Sequence, residues 1–281
     1  MALDDYKMGE ADLAQMNNLF EEVLEGPAAE LVSELRGCLP KESPYGFACF
    51  LSSNFERLVQ QTLFEPLLPE LVVYACRVGI TAGFSVCMHD LGCRYYMGDL
   101  VSRDYGRAAE LYEMAMDAGC YQSIINLGYI WEYGRTGERN YEKAFRYYAL
   151  AASLEPSSEA VYKLGDMYAR GEYVERNVKR AYRLWRRSYD LADEESLTEQ
   201  AQPAARLGLL LLNDGDRAAV GLEPDPLQAL HLLQTAEVGL RVSIKHGSTY
   251  CRKRLAEVIE GQQRARELLE DENEQVLVSA C

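Results

Sequence analysis

Apolar residues at helical spacing recur three times through the middle of the chain: Ala108-Leu111-Tyr112-Ala115, Ala144-Tyr147-Tyr148-Ala151 and Ala181-Leu184-Trp185-Ser188. Each i, i+3, i+4, i+7 stripe predicts an amphipathic helix with one buried face. Four residues ahead of each stripe stands Asp104, Asn140 or Asn177, whose short side-chain acceptor suits an orphan amide in a first helical turn. Upstream of each lies a second pattern, L-G-x-x-[aromatic]-x-x-G, at Leu91-Gly92-Tyr95-Gly98, Leu127-Gly128-Trp131-Gly134 and Leu164-Gly165-Tyr168-Gly171. The starts lie 36 and then 37 residues apart, and self-similarity at that period predicts a helical repeat array. Each repeat reads as two antiparallel helices. Helix A carries the Leu-Gly and ends near the second glycine, and helix B carries the stripe.

A glycine inside helix A costs roughly 1 kcal/mol relative to alanine, so Gly92, Gly128 and Gly165 imply a close approach of helix B. The residue four before each Leu is also small, namely Cys87, Ser123 and Ala160, and faces the large Tyr or Trp of helix B. A fourth, altered unit follows as Leu207-Gly208-Leu211, then Asp225 and Ala229-Leu232-Leu233-Ala236. Its second glycine falls at Gly215, and five extra residues are expected in the loop between Asp214 and Pro226.

These residues resemble the Sel-one-like repeat family, relatives of the tetratricopeptide repeats, over roughly residues 83–240. The resemblance implies an all-α α-solenoid, a right-handed superhelix of antiparallel helix hairpins whose A helices line the concave side. It also implies adaptor or scaffold work in protein complexes, with no catalytic residues to carry over. Some secreted family members staple each unit with a regularly spaced cysteine pair. The eight cysteines here show no such spacing and no C-x-x-C, which favours reduced thiols in a cytoplasmic protein.

Organisation follows from the same patterns. Residues 1–82 read as an irregular helical N-terminal cap, with segments over 11–25, 28–37, 47–64 and 69–80 broken by Pro27, Pro40, Pro44 and Pro66. A separate partner-binding module is the alternative for this third. Repeats are assigned to 83–118, 119–155, 156–195 and 199–240, followed by one or two C-terminal capping helices over 241–270, interrupted near His246-Gly247-Ser248, and a flexible tail over 271–281.

The formal charge of −15 opposes attraction to nucleic acid or anionic membrane and mildly favours a basic partner. The apolar run from Val78 is far shorter than the ~18 residues that a membrane span requires. The acidic N-terminus reverses the charge pattern of a secretory signal. The three histidines lie in no metal-ligand spacing, and no phosphate-binding loop or nucleophile elbow occurs, so neither metal, cofactor nor catalytic residue is assigned.

Two surfaces are candidates for binding a protein or peptide. A helical wheel places His89, Asp90, Cys93, Ile125, Asn126, Tyr129, Tyr133, Tyr162, Lys163, Asp166 and Arg170 opposite the packing face of helix A, where the resemblance puts the concave groove. Packing of Tyr129 and Tyr162 between hairpins is the competing reading. The second surface is the segment 176–187, with six basic residues and no acid; Lys179, Arg180, Arg183, Arg186 and Arg187 fall outward on helix B. A solvated convex face is the alternative there. The functional expectation is a non-catalytic adaptor. The second reading is a regulatory sensor that closes on a small ligand or signalling peptide, and an enzyme ranks third.

Overall fold

The computed structural model describes residues 6–26, 28–38, 50, 53–61, 66–193 and 196–279. The described residues are helical and contain no strand. The chain divides into two compact units, Met1–Ala144 and Phe145–Cys281.

Unit one opens with α1 (Glu10–Val23), α2 (Ala29–Cys38), α3 (Phe55–Gln61) and α4 (Leu68–Thr81). The segment 47–64 lies partly outside the described residues, as do Pro27, Pro40 and Pro44. Three contacts hold the start of the chain, one of them to a helix of the first repeat and two to α4. Tyr6 donates to Glu110 at 3.3 Å, the Met8 amide donates to Thr81 Oγ1 at 2.8 Å, and Arg77 donates to the carbonyls of Tyr6 and Lys7.

The first repeat is α5 (Ser85–Met97) and α6 (Tyr105–Asp117), and the second begins with α7 (Tyr121–Tyr133). The next helix, α8 (Tyr141–Leu154), contains the boundary between the units. Unit two continues with α9 (Ser158–Arg170) and α10 (Val178–Leu191), then α11 (Leu197–Leu211), α12 (Asp214–Val220) and α13 (Pro226–Lys245). A 3-10 turn at Thr249–Cys251 leads into α14 (Arg252–Ser279).

The periodic polar residues act as expected at the helix starts. Side chains of Asp104, Asn140, Asn177 and Asp225 accept from the amides of Arg107, Lys143, Arg180 and Gln228. Helices α5, α7 and α9 end on Gly98, Gly134 and Gly171, at φ of 73°, 61° and 70°, a region that disfavours residues with a Cβ. The turn between helices is then closed identically three times: the amides of Asp104, Asn140 and Asn177 donate to the carbonyls of Tyr95, Trp131 and Tyr168, each at 2.9 Å.

The small-to-large packing is also explicit. A Cβ on Gly92 would lie 2.8 Å from the Tyr112 ring, one on Gly165 2.6 Å from Trp185, and one on Gly208 2.7 Å from Leu233. Absence of that atom lets helix B seat its largest side chain on the backbone of helix A.

The fourth repeat differs from expectation at its loop. Gly215 does not end helix A; it lies inside α12, which Asn213 caps by accepting from the Asp216 amide. Asp214 and Asp216 in its first turn and Arg217 in its last complement the helix dipole, so the inserted residues form a helix of their own. Helix α13 runs on past residue 240 to Lys245, and the break falls at His246-Gly247-Ser248. Helix α14 packs Val258 onto the core of Ala204, Leu211 and Leu233 and continues to Ser279.

Candidate functional site

In unit one the open-face residues of the first two A helices split into an interior network and an aromatic pair, half-buried Tyr129 and exposed Tyr133. His89 Nδ1 lies 2.9 Å from Ser123 Oγ, and its Nε2 lies 3.4 Å from Cys93 Sγ. The Tyr112 hydroxyl donates to Cys93 at 3.4 Å, and the Asn126 amide approaches the same sulfur at 3.9 Å. Helices α5, α6 and α7 are thereby joined through polar atoms.

A Cys beside a His and an Asn invites comparison with a nucleophilic dyad, but the electrostatics oppose it. Burial holds His89 down at about 4 and pushes the Cys93 thiol up to about 12. At neutral pH the pair is therefore a neutral imidazole and a protonated thiol, and a thiol is a poor nucleophile. Burial raises Asp90 to about 6, opposed by Arg94, which donates to Asp99 at 2.7 Å. His89, Asp90 and Asn126 are half-buried, and their geometry is that of a packed polar seam.

Tyr129 and Tyr133 present a different surface. Their rings stack with centroids 6.0 Å apart, and Tyr133 is 43% exposed. The i, i+4 spacing on α7 puts both on one stripe, offering broad apolar area with two polar tips.

In unit two, three of the residues expected on the open face of α9 are buried: Tyr162 at 9%, Lys163 at 3% and Asp166 at 5% exposure. The first helix of the next repeat, α11, covers Tyr162 and Asp166, while the Lys163 ammonium lies 5.4 Å from the Tyr148 ring centroid on α8. Arg206 on α11 donates through Nε and Nη2 to the two oxygens of Asp166, and Trp185 donates to the same carboxylate at 3.0 Å. Burial alone would raise Asp166, yet the charge and hydrogen bonds of Arg206 hold it at about 2. Arg170 remains exposed and pairs with Glu172 at 2.7 Å.

The basic face of α10 lies where the stripe predicts. Lys179, Arg180, Arg183, Arg186 and Arg187 are all exposed, while Ala181, Trp185 and Ser188 point inward. Arg180 lies 4.4 Å from the Tyr168 ring centroid and Arg186 pairs with Asp190 at 3.4 Å. Among the described residues, Lys179, Arg180, Arg183 and Arg187 form no ion pair. Among the same residues no cluster of three His, Cys, Asp or Glu is arranged to hold a metal ion.

One recurrent residue escaped the sequence reading. An arginine immediately precedes the helix cap in three repeats, at Arg103, Arg139 and Arg176. Arg103 donates to the Met97 carbonyl at 2.7 Å and Arg176 to that of Ala169 at 3.1 Å, satisfying the carbonyl end of helix A. The R-[DN] dipeptide at fixed register was the available signal.

Comparison with known proteins agrees with this geometry. The Sel1 repeat model matches residues 85–120, 122–156, 158–193 and 204–236. A 101-residue stretch is 36% identical to the ERAD-associated E3 ubiquitin-protein ligase component HRD3B of Arabidopsis thaliana. That match takes in 35% of this chain and only 15% of the length of the plant protein. Among solved structures, a Sel1 repeat protein from Oxalobacter formigenes superposes with a TM-score of 0.57 at 20% identity, over 91% of this chain and 99% of the other. A protective antigen of uropathogenic Escherichia coli with an SLR fold gives 0.48 at 24% identity, over 71% and 42%. The fold shared with the Oxalobacter protein is the all-α repeat solenoid.

Proposed function

The chain belongs to the Sel1 repeat family, and on that premise we propose that it is a non-catalytic adaptor that binds a protein or peptide partner through two surfaces. Sel1 repeat proteins generally mediate protein–protein interaction. The first surface is the stacked Tyr129 and Tyr133 of α7, and the second is the basic outer face of α10 around Arg183 and Arg187. The observation that carries the reading is that face: six cations and no acid across residues 176–187 of a chain with net charge −15, four of them without an ion pair among the described residues. Concentrated charge of the minority sign, held on a rigid helix, complements an acidic segment of a partner.

A cytoplasmic location belongs to the proposal. It is supported by the thiols of Cys76, Cys87, Cys93, Cys120 and Cys251, which form no disulfide among the described residues. No helix among the described residues is long and apolar enough to cross a membrane.

The test is quantitative affinity capture by the full chain, comparing wild type with Tyr129→Ala/Tyr133→Ala and with Arg183→Glu/Arg186→Glu. A saturable partner lost from either variant supports the adaptor reading and identifies the surface. Retention of every captured protein by both variants counts against both surfaces.

A further inference from the structure

Arg135 follows the glycine that ends α7, and its guanidinium sits among three tyrosine rings. Its carbon lies 5.8 Å from the Tyr96 centroid, 5.5 Å from Tyr105 and 5.4 Å from Tyr133. The Nε donates to the Tyr96 hydroxyl at 3.3 Å. Among the described residues no carboxylate pairs with Arg135, and neither Nη makes a hydrogen bond.

Contact with aromatic rings engages the flat faces of a guanidinium, while its N–H donors radiate at the edge of the plane. Rings therefore hold such a group in place and leave its fork open. Unit two contains the same construction in completed form. There Arg206 lies 4.5 Å from the Tyr162 centroid and grips both oxygens of Asp166. At Arg206 the chain supplies the carboxylate. At Arg135 it does not.

We propose that Arg135, held by Tyr96, Tyr105 and Tyr133, is the docking point for a carboxylate side chain on an acidic partner peptide, whose apolar flank lies on the stacked Tyr129 and Tyr133. This deepens the adaptor reading and rests on it. A planar two-oxygen acceptor matches the open fork bidentately. Ring contacts fix the side chain beforehand, so less freedom is lost on binding. A doubly charged phosphate would meet greater repulsion from a chain of net charge −15. Neighbouring Arg103 lies 6.0 Å from the Tyr105 centroid but donates to the Met97 carbonyl, so it adds positive potential at the site.

The experiment uses the full chain and four pools of fluorescein-labelled peptides, randomised except for a central Glu, Gln, Lys or phosphoserine, read by fluorescence anisotropy. The Glu pool is expected to bind roughly tenfold or more tightly than the Gln pool, a difference in line with a charge-assisted bidentate pair. Arg135→Gln should reduce the Glu pool to the level of the Gln pool. Arg135→Lys, which keeps a cation on the rings but lacks the fork, should fall between the two and serves if Arg135→Gln does not fold. Arg183→Glu/Arg186→Glu should leave the preference intact. A Glu preference that persists in Arg135→Gln, or that follows Arg183 and Arg186 instead, overturns this site and leaves the adaptor reading standing. Tighter binding of the phosphoserine pool, or no preference for Glu, overturns the assignment of a carboxylate. If no pool binds, this inference fails, and the adaptor reading is decided separately by the capture of a partner that loses binding in the surface variants.

Discussion

Arg206 on the first helix of repeat four holds both carboxylate oxygens of Asp166 on the first helix of repeat three, and both residues are buried. Removing one partner strands a charge in the interior. Arg206→Leu is therefore expected to destabilise unit two by about 3–5 kcal/mol, and Asp166→Leu/Arg206→Leu should recover more than half of the loss. Urea unfolding of the three proteins checks this, and equal destabilisation by the single and double variants would contradict it.

The same pair sets an acid limit. Asp166 sits at about 2 in the folded chain against an ordinary 3.8, so its contribution is full above about pH 4 and disappears as pH falls toward 2. At 1.36 kcal/mol per unit this amounts to about 2 kcal/mol. The wild type should lose that much more stability than Asp166→Asn between pH 5 and pH 2, measured by chemical denaturation.

His89 and Asp90, adjacent on α5, are expected to oppose one another across mildly acidic pH. His89 is held at about 4 against 6.5, so the unfolded chain takes up a proton first, and stability is withdrawn as pH falls from 6.5 to 4. Asp90 is raised to about 6 against 3.8, so the folded chain takes up a proton first, and stability is gained as pH falls from 6 to 3.8. Each excursion is worth about 3 kcal/mol at full extent, and the wild type should show little slope from these two residues. His89→Gln should become more stable on acidification through this window relative to wild type, and Asp90→Asn less stable. Parallel pH profiles for all three proteins would refute the opposition.

Two glycines should respond to alanine in opposite directions. In Gly165→Ala the new Cβ meets Trp185 at 2.6 Å, and overpacking is expected to cost about 1–3 kcal/mol despite the gain in helix propensity. In Gly215→Ala the nearest atom lies at 3.6 Å, so propensity alone acts and stability should rise by up to about 1 kcal/mol. Thermal unfolding distinguishes the two, and a shift of the same sign in both would remove the packing explanation for the repeated Leu-Gly.

Much of the fold was legible because repetition ties each signal to a register. Asp104, Asn140 and Asn177 cap helices, and Gly92 and Gly165 receive Tyr112 and Trp185, because these are contacts within one hairpin. The open face was less legible. A wheel drawn on one helix separates the side facing its own partner helix from the rest, but an A helix also packs on the A helix of the next repeat. That second contact buries Tyr162 and Asp166 in unit two, so Tyr162→Ala would weaken the support for Arg206 and report on stability as much as on binding. The basic face of α10 was readable because, although this helix also meets α11 and α12, Lys179, Arg183 and Arg187 stay exposed. Loop geometry was the hardest part. Nothing local to Gly215 distinguishes a helix end from the inside of a short capped helix; that is settled by Asn213 accepting from the Asp216 amide.

The most direct measurement of the central claim is the affinity of the full chain for a partner captured from its native lysate, compared among wild type, Tyr129→Ala/Tyr133→Ala and Arg183→Glu/Arg186→Glu. The exposed pair Arg183→Glu/Arg186→Glu should move unfolding stability by no more than about 0.5 kcal/mol, and unfolding of the tyrosine variant, which removes the half-buried Tyr129, is measured beside its affinity so that binding is separated from folding. The adaptor account predicts a saturable partner whose affinity falls at least tenfold in one variant, with the loss at the basic face shrinking as salt is raised. Equal affinity for all three proteins, at unchanged stability, would contradict it.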